Sequence, residues 1–339
     1  MCGGGMAMIP ALTDFTFIES AKGKMFVNTP NALAGNEISR CDTSSASFQS
    51  EETGLIDGMG TEEEVMENIR ELISLLPSNY EDNDSFTECT DDLNRICENI
   101  ESCVGDTAIA FSQIADDGVF FETKAAYGKD IVTGFIRLNG ITIGAVANRS
   151  EIYDEEGNLT EEFDGTLSAR GAEKTADFVK FCDAFGIPVL TLTNVTGFKA
   201  TKCNERRMAK AVGKMIHAFA DATIPKVNVI IGKAYGSAYV AMNSKSIGAD
   251  LVYAWESAEI GMMDAELAAK IMYAGSDAET LKEKAAEYRV LQSGVASAAA
   301  RGYVDTIIRP QDTRKYVIGA FELLFTKRED RPSKKHGTV

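Results

Sequence analysis

Residues 227–242 read VNVIIGKAYGSAYVAM. Val227–Ile231 is a short apolar run rich in β-branched residues, which predicts a buried strand. Gly232 follows, and small residues bracketed by tyrosines, Tyr235-Gly236-Ser237-Ala238-Tyr239, open into a helical pattern through Met242. A strand that turns sharply into a helix leaves the N–H groups of the first turn unpaired. Such donors suit an oxygen that becomes negative during a reaction. The same pattern also serves close helix–strand packing with no chemistry. The start of the chain shifts that balance: Met1–Phe15 reads MCGGGMAMIPALTDF, a second glycine cluster followed by residues of helical character. Two glycine-rich turns are two cradles for a developing oxyanion, and they suggest chemistry at two carbonyl-like centres.

Working outward, strands and helices alternate on both sides of that stretch. Gly134–Leu138 and Ile141–Ala147 flank Asn139-Gly140, a strong hairpin signal. Ser168–Phe185 has helical spacing, Ile187–Leu192 is the next strand, 194–198 is a loop and Arg206–Ala222 a helix. Beyond Met242 come a strand at Leu251–Ala254, a short apolar segment at Glu259–Met263, helices at Leu281–Leu291 and Thr313–Thr326, and a basic tail at Lys327–His336. This alternation predicts a layered α/β domain with parallel strands and functional loops. Upstream, an opening helix precedes a strand at Lys24–Val27 and a turn at Thr29-Pro30-Asn31, while Ser39–Leu55 reads as surface loop with little regular structure. Thr61 and Glu64 form a capping box for an amphipathic helix carrying Val65, Ile69, Leu72, Ile73 and Leu76, which Pro77-Ser78-Asn79 ends. The acidic Tyr80–Asp92 reads as a linker and Leu93–Cys103 as one more helix.

A chain of 339 residues exceeds one ordinary domain and can bury a sizeable core. Its formal charge of −17 argues against a nucleic-acid binder. It leaves room for a local anion site, and Lys199, Lys202, Arg206 and Arg207 gather where one could hold a nucleotide phosphate. No apolar run approaches the ~18 residues of a membrane span, and Met1–Pro10 lacks the basic start and long apolar core of a signal peptide. The seven cysteines form no CxxC pair, which speaks against a zinc ribbon and fits a reducing cytoplasm. Of two histidines, His217 lies mid-helix with a packing or surface role, and His336 is in the tail. No HExxH, GxSxG or P-loop pattern occurs, the acidic stretch Glu81–Asp92 lacks EF-hand spacing, and Asp116-Asp117-Gly118 reads as a turn. No metal site is expected. An enzyme built this way works by backbone oxyanion stabilisation, with substrate or cofactor supplying the base.

Nine stretches carry a resemblance: CGGGMAMIPALTDF (2–15), IRELISLLPSN (69–79), FFETKAAYGKDIVTGFIRLNG (120–140), VANR (146–149), FVKFCDAFGIPVLTLTNVTGF (178–198), ATIPKVNVIIGKAYGSAYVAMNSKSIGAD (222–250), AWESAEIGMM (254–263), RGYVDTII (301–308) and KREDRPSKKHG (327–337). In order and spacing the chain resembles the carboxyltransferase (beta-type) subunits of biotin-dependent acyl-CoA carboxylases and decarboxylases, over nearly its whole length. The resemblance implies a crotonase-like α/β fold: residues 1–80 as the C-terminal part of one such domain, 81–106 as linker and helix, and 107–339 as a complete second domain. It places an acyl-CoA enolate oxyanion hole at Gly4 and Gly5 and a carboxybiotin oxyanion hole at Gly236, Ser237 and Ala238. Tyr239, Val240, Gly197 and Phe198 would contact substrate. In the family, the active site lies between the first domain of one subunit and the second domain of another.

Three departures qualify what is carried over. The family pattern begins well before CGGG, so the chain is expected to be a fragment or half of a split subunit, with another polypeptide supplying the missing N-terminal half. The family's GGAYDVM is GSAYVAM here, so Val240 replaces an acid of the acyl pocket. Its DVPGF is Asn194-Val195-Thr196-Gly197-Phe198, again without the acid, and the pocket reads as apolar. The chain carries neither a biotinyl-lysine motif nor an ATP-binding loop. The resemblance therefore implies a separate biotin carboxyl carrier protein, a biotin carboxylase or membrane decarboxylase subunit, a CoA thioester substrate, and a homo-oligomer built as a trimer of dimers. The expected function is carboxyl transfer between carboxybiotin and a short-chain acyl-CoA, propionyl-CoA or acetyl-CoA. The alternative is a sodium-pumping methylmalonyl-, malonyl- or glutaconyl-CoA decarboxylase, peripheral at the membrane. A reading of another class is an inactive fragment or scaffold subunit.

Overall fold

The computed structural model describes residues 1–79, 81, 86–154 and 156–329. A first set of elements comprises β1 (Cys2–Gly3), β2 (Phe17–Glu19), β3 (Met25–Phe26), α1 (Ala46–Phe48), β4 (Gly58–Gly60) and α2 (Glu62–Leu75). Next come α3 (Thr107–Ile114), β5 (Phe120–Thr123), β6 (Ile131–Leu138), β7 (Ile141–Asn148), β8 (Glu151–Tyr153), β9 (Leu159–Glu162) and β10 (Thr166–Leu167). They lead to α4 (Ala169–Ala184), β11 (Val189–Val195), β12 (Gly197–Phe198), α5 (Lys202–Asp221), β13 (Lys226–Tyr235) and α6 (Gly236–Ala241). The chain ends in β14 (Leu251–Trp255), β15 (Glu259–Gly261), α7 (Ala265–Met272), α8 (Ala278–Tyr288), α9 (Val295–Ala300), β16 (Thr306–Ile308) and α10 (Thr313–Leu324).

The alternation around 227–242 becomes a central sheet of order β16-β14-β13-β11-β7-β6-β5, with β15 joined to the end of β13. Strands β7, β11, β13, β14 and β16 run parallel, and the β5–β6–β7 edge is antiparallel. The hairpin turn is the predicted Asn139-Gly140, both residues at positive φ (49° and 76°), as a tight two-residue turn requires. Side chains alternate across the sheet: Ile131 and Phe135 join the core beneath α4 and α5, and Val132 and Ile136 join the one beneath α3 and α10. Trp255 is buried on the α10 side, its indole N–H donating to Thr313 Oγ1 at 2.9 Å. Fully buried Arg314 at the start of α10 pairs with Asp116 at 2.6 Å, and Asp116 accepts the N–H groups of Asn139 and Gly140. One ion pair thus ties the hairpin turn to the last helix, and Asp116-Asp117-Gly118 is the expected turn with a structural task.

The first elements repeat the last ones. In β1–β4 the first strand pairs with the third and the second with the fourth, all in parallel, and helix α2 follows. In β13–β16 the first again pairs with the third and the second with the fourth, in parallel, with α10 after them. Both units start with a strand that meets a positive-φ glycine, Gly4 at 63° and Gly236 at 60°, and then a helical turn. Glu19-Ser20-Ala21 and Glu256-Ser257-Ala258 stand at the end of the second strand in each, Glu19 being the last residue of β2 and Glu256 the first beyond β14. The Thr61–Glu64 capping box forms as its residues dictate, and Leu72 and Leu75 of α2 reach the core beneath α4.

Several expectations are corrected. The opening helix is two short 3₁₀ pieces, Gly4–Met8 and Pro10–Leu12, because adjacent glycines favour no helix and Pro10 interrupts the ladder. Leu93–Cys103 forms only one 3₁₀ turn, Ile100–Cys103; Asn99 is left-handed and the Cys97 N–H goes to Gln311 O instead of a helix partner. Ser39–Leu55 contains α1, capped by Ser45, and a π-helical turn at Gln49–Thr53 closed by left-handed Gly54. Phe86 and Thr87, read as linker, pair with the hairpin at Ile141 and Gly140. Tyr80, residues 82–85 and His336 lie outside the described residues.

Candidate active site

The strand of 227–242 does not stop at Ile231 but continues to Tyr235 through a bulge. Thr193 pairs with Ile230 whereas Val195 pairs with Ala234, so β13 spends extra residues opposite β11. Asn194 holds that bulge: its Oδ1 accepts the Lys233 N–H at 2.9 Å and its own N–H donates to Asn148 Oδ1. A Cβ at Gly232 would stand 2.6 Å from Asn194 Oδ1, so glycine is needed there. The bulge delivers Tyr235 and Gly236 to the carboxyl end of the sheet, where parallel α/β sheets place their ligand crevices.

A cleft opens there, lined on one side by Gly197 and Phe198 of β12, on another by Gly236, Ser237 and Ala238, and closed by Met262, Met263, Asp264 and Leu267. The N–H groups of Gly236, Ser237 and Ala238 open α6 and have no partner within the helix, and Tyr235 offers no side-chain cap. Tyr235 instead donates its hydroxyl to Glu259 at 2.5 Å, and Glu259 is paired with Arg289 at 3.0 Å. Burial and that carboxylate push the Tyr235 phenol well above its ordinary value, which keeps it a donor and not an acid. His217 is exposed on α5 and does not line the cleft.

Five of the expected site residues, Gly197, Phe198, Gly236, Ser237 and Ala238, therefore share one cleft. Tyr239 and Val240 do not line it; they pack into the core beneath α4 and α5, where burial pushes the Tyr239 phenol up to about 12. Gly4 and Gly5 open the 3₁₀ turn that follows β1 of the separate β1–β3 ribbon, and a Cβ on either would meet nothing within 4 Å. Within one chain the Gly4 and Gly236 turns thus lie at separate places. Sequence reasoning missed Asn194 as the holder of the bulge, and it missed Met262, Asp264 and Leu267, which reach the cleft only through the β13–β15 pairing. The Glu-Ser-Ala echo was a usable signal, because it aligns the segment before β15 with the segment before β3.

A second, smaller cavity lies between the first elements and α4, with Asp57, Lys124 and Lys174 on its walls. Asp57 accepts the Thr16 N–H at 2.8 Å and stands 3.8 Å from Lys124; burial still raises its carboxyl to about 6. Lys174 is buried, donates to the carbonyls of Lys124, Tyr127 and Ile131, and is lowered by burial to about 8. These two groups line a cavity between the two parts of the chain, and neither lines the Gly236 cleft.

A helix-covered mixed sheet, entered by strand–glycine–helix turns, defines the class as a crotonase-like α/β protein. The carboxyl transferase domain model matches residues 1–339, and the chain belongs to that family. It is 35% identical to the carboxyltransferase subunit of propionyl-CoA carboxylase from Haloferax mediterranei, over 100% of this chain and 67% of that protein. It is also 35% identical to the alpha subunit of methylmalonyl-CoA decarboxylase from Propionigenium modestum, again over 100% of this chain and 67% of that protein. The crystal structure of transcarboxylase 12S, a hexamer with hydrolysed methylmalonyl-coenzyme A bound, superposes with a TM-score of 0.89 at 35% identity, over 99% of this chain and 66% of that one. The chain thus spans about two thirds of the length of these relatives. Among the described residues no helix is long and apolar enough to cross a membrane.

Proposed function

We propose that this chain moves a carboxyl group between carboxybiotin, presented by a separate carrier protein, and a short-chain acyl-CoA such as propionyl-CoA. The observation that carries the reading is the Gly236 turn, three first-turn N–H groups with no partner within their helix at the wall of a mostly apolar cleft. Bound biotin supplies a ring that accepts or releases the carboxyl group. Its fit rests on the cleft itself: Phe198, Met262 and Leu267 offer an apolar bed, and the first-turn amides of α6 point donors at an oxygen. Fixed donors of this kind stabilise a developing oxyanion more than a neutral carbonyl, each by about 3 kcal/mol of barrier. The Gly4-Gly5 turn has the same strand–positive-φ–helix form and would hold the thioester oxygen as the acyl α-carbon loses its proton. Bound amides do not titrate, so neither cradle needs a histidine.

The test is carboxyl transfer by Ala238→Pro, which removes one donor at a position where the helix does not use it. Transfer from methylmalonyl-CoA to biotin is expected to fall about 10²–10³-fold in kcat, while Ala238→Gly, which keeps the N–H, stays near the parent in kcat, and both variants still unfold in one cooperative transition. Full activity in Ala238→Pro would remove the cradle from the reaction. Net release of CO₂ from methylmalonyl-CoA only in the presence of a membrane partner would instead identify the decarboxylase direction.

A further inference from the structure

Helix α5 begins four residues beyond Phe198 of the cleft and buries Met208, Ala211, Val212, Met215 and Phe219 on its inner face. Its outer face carries Lys202, Arg206, Lys210 and Lys214, all exposed. The spacing is four residues each time, so the cations form one row, roughly 18 Å long at 1.5 Å per residue. Among the described residues none of the four makes an ion pair; on the same helix, Arg207 is the one that does, with Glu173 of α4. Asp177 of α4 feels the field of Lys214, and Glu205 is the exposed carboxylate at the start of α5. The row stands out because the chain as a whole carries −17, a net charge that repels an acidic protein.

The surface between the cations narrows what fits it. Ala209 and Gly213 are the exposed residues there, so the face offers close approach and no large apolar side chain. A stable contact with a second copy needs an apolar core, and a membrane-lying helix needs bulky apolar residues at its polar boundary. A charged, small-residue face suits a partner that arrives quickly and leaves again.

We infer that the Lys202–Lys214 row is the docking surface for an acidic face of the protein that carries biotin, steering its prosthetic arm to the adjacent Gly236 cleft. The inference rests on the carboxyltransferase reading above. It is tested with the double variant Lys210→Ala/Lys214→Ala of the full chain, which leaves the Lys199–Arg207 cluster intact and keeps the helix, since alanine is a good helix former. Transfer from methylmalonyl-CoA is followed to two acceptors, an acidic biotinyl carrier domain and free biotin. The KM for the carrier domain is expected to rise about threefold or more and to lose part of its salt dependence, with kcat and the KM for free biotin unchanged. An unchanged KM for the carrier domain would overturn the docking surface while leaving the cleft assignment intact. The same holds if the variant's only change is in particle mass by light scattering, which would give the face to a second copy, or in sedimentation with phosphatidylglycerol vesicles, which would give it to a membrane. No transfer to either acceptor by the parent protein would remove the carboxyltransferase reading itself, and this surface with it.

Discussion

At the scale of single residues, Asp57 reports what burial does to a carboxyl group even with Lys124 3.8 Å away. Its folded value of about 6 stands above the ordinary 3.8. Between those two values the folded state holds a proton that the unfolded chain has released, so this group's contribution falls as pH rises through the window and is lost above it. The difference corresponds to roughly 3 kcal/mol, using 1.36 kcal/mol per pH unit. Asp57→Asn removes the titration and keeps an acceptor for Thr16. Its stability relative to the parent is therefore expected to rise by up to about 3 kcal/mol between about pH 4 and pH 7 in urea unfolding. A parallel pH dependence in the two proteins would show that Asp57 titrates normally. Nothing in the sequence around Leu55–Gly58 marks this aspartate, since its desolvation is created by α4 and the first elements meeting over it.

At the scale of elements, the legible features are those written in a few adjacent residues. Asn139-Gly140 sets its hairpin and Thr61 with Glu64 starts its helix, because both are satisfied by local backbone geometry. The illegible ones depend on distant partners: Cys97 spends its N–H on Gln311, and Asn194 spends its side chain on Lys233. The glycine turns of the cradles could be read as donors, but the far wall of the cleft, which needs β15 to dock on β13, could not. The Asp116–Arg314 pair is of the second kind and joins three elements, β6, β7 and α10. Asp116→Ala leaves a fully buried guanidinium with Asp91 at 3.3 Å as its remaining carboxylate and frees the hairpin amides, and is expected to cost about 3 kcal/mol. A loss under about 1 kcal/mol in denaturant unfolding would show that the pair is screened and the hairpin independently held.

At the scale of the whole molecule, the repeat sets two strand–glycine–helix turns of one design on one chain, and only the Gly236 turn lines the cleft. If each works with the other kind from a second subunit, Ala238→Pro and Gly5→Pro should complement. Mixing the two inactive variants in a two-fold assembly gives one intact pair in each mixed dimer, hence about a quarter of parental activity. Mixtures as inactive as their components would place both steps within a single chain. The chain's 1 tryptophan also has a use. Trp255 is enclosed by the sheet and held by Thr313 of α10, so its emission should be blue-shifted and insensitive to soluble quenchers in the native state. Its red shift on unfolding will follow the parting of α10 from the sheet, giving an optical signal confined to the second repeat and silent to events in the first.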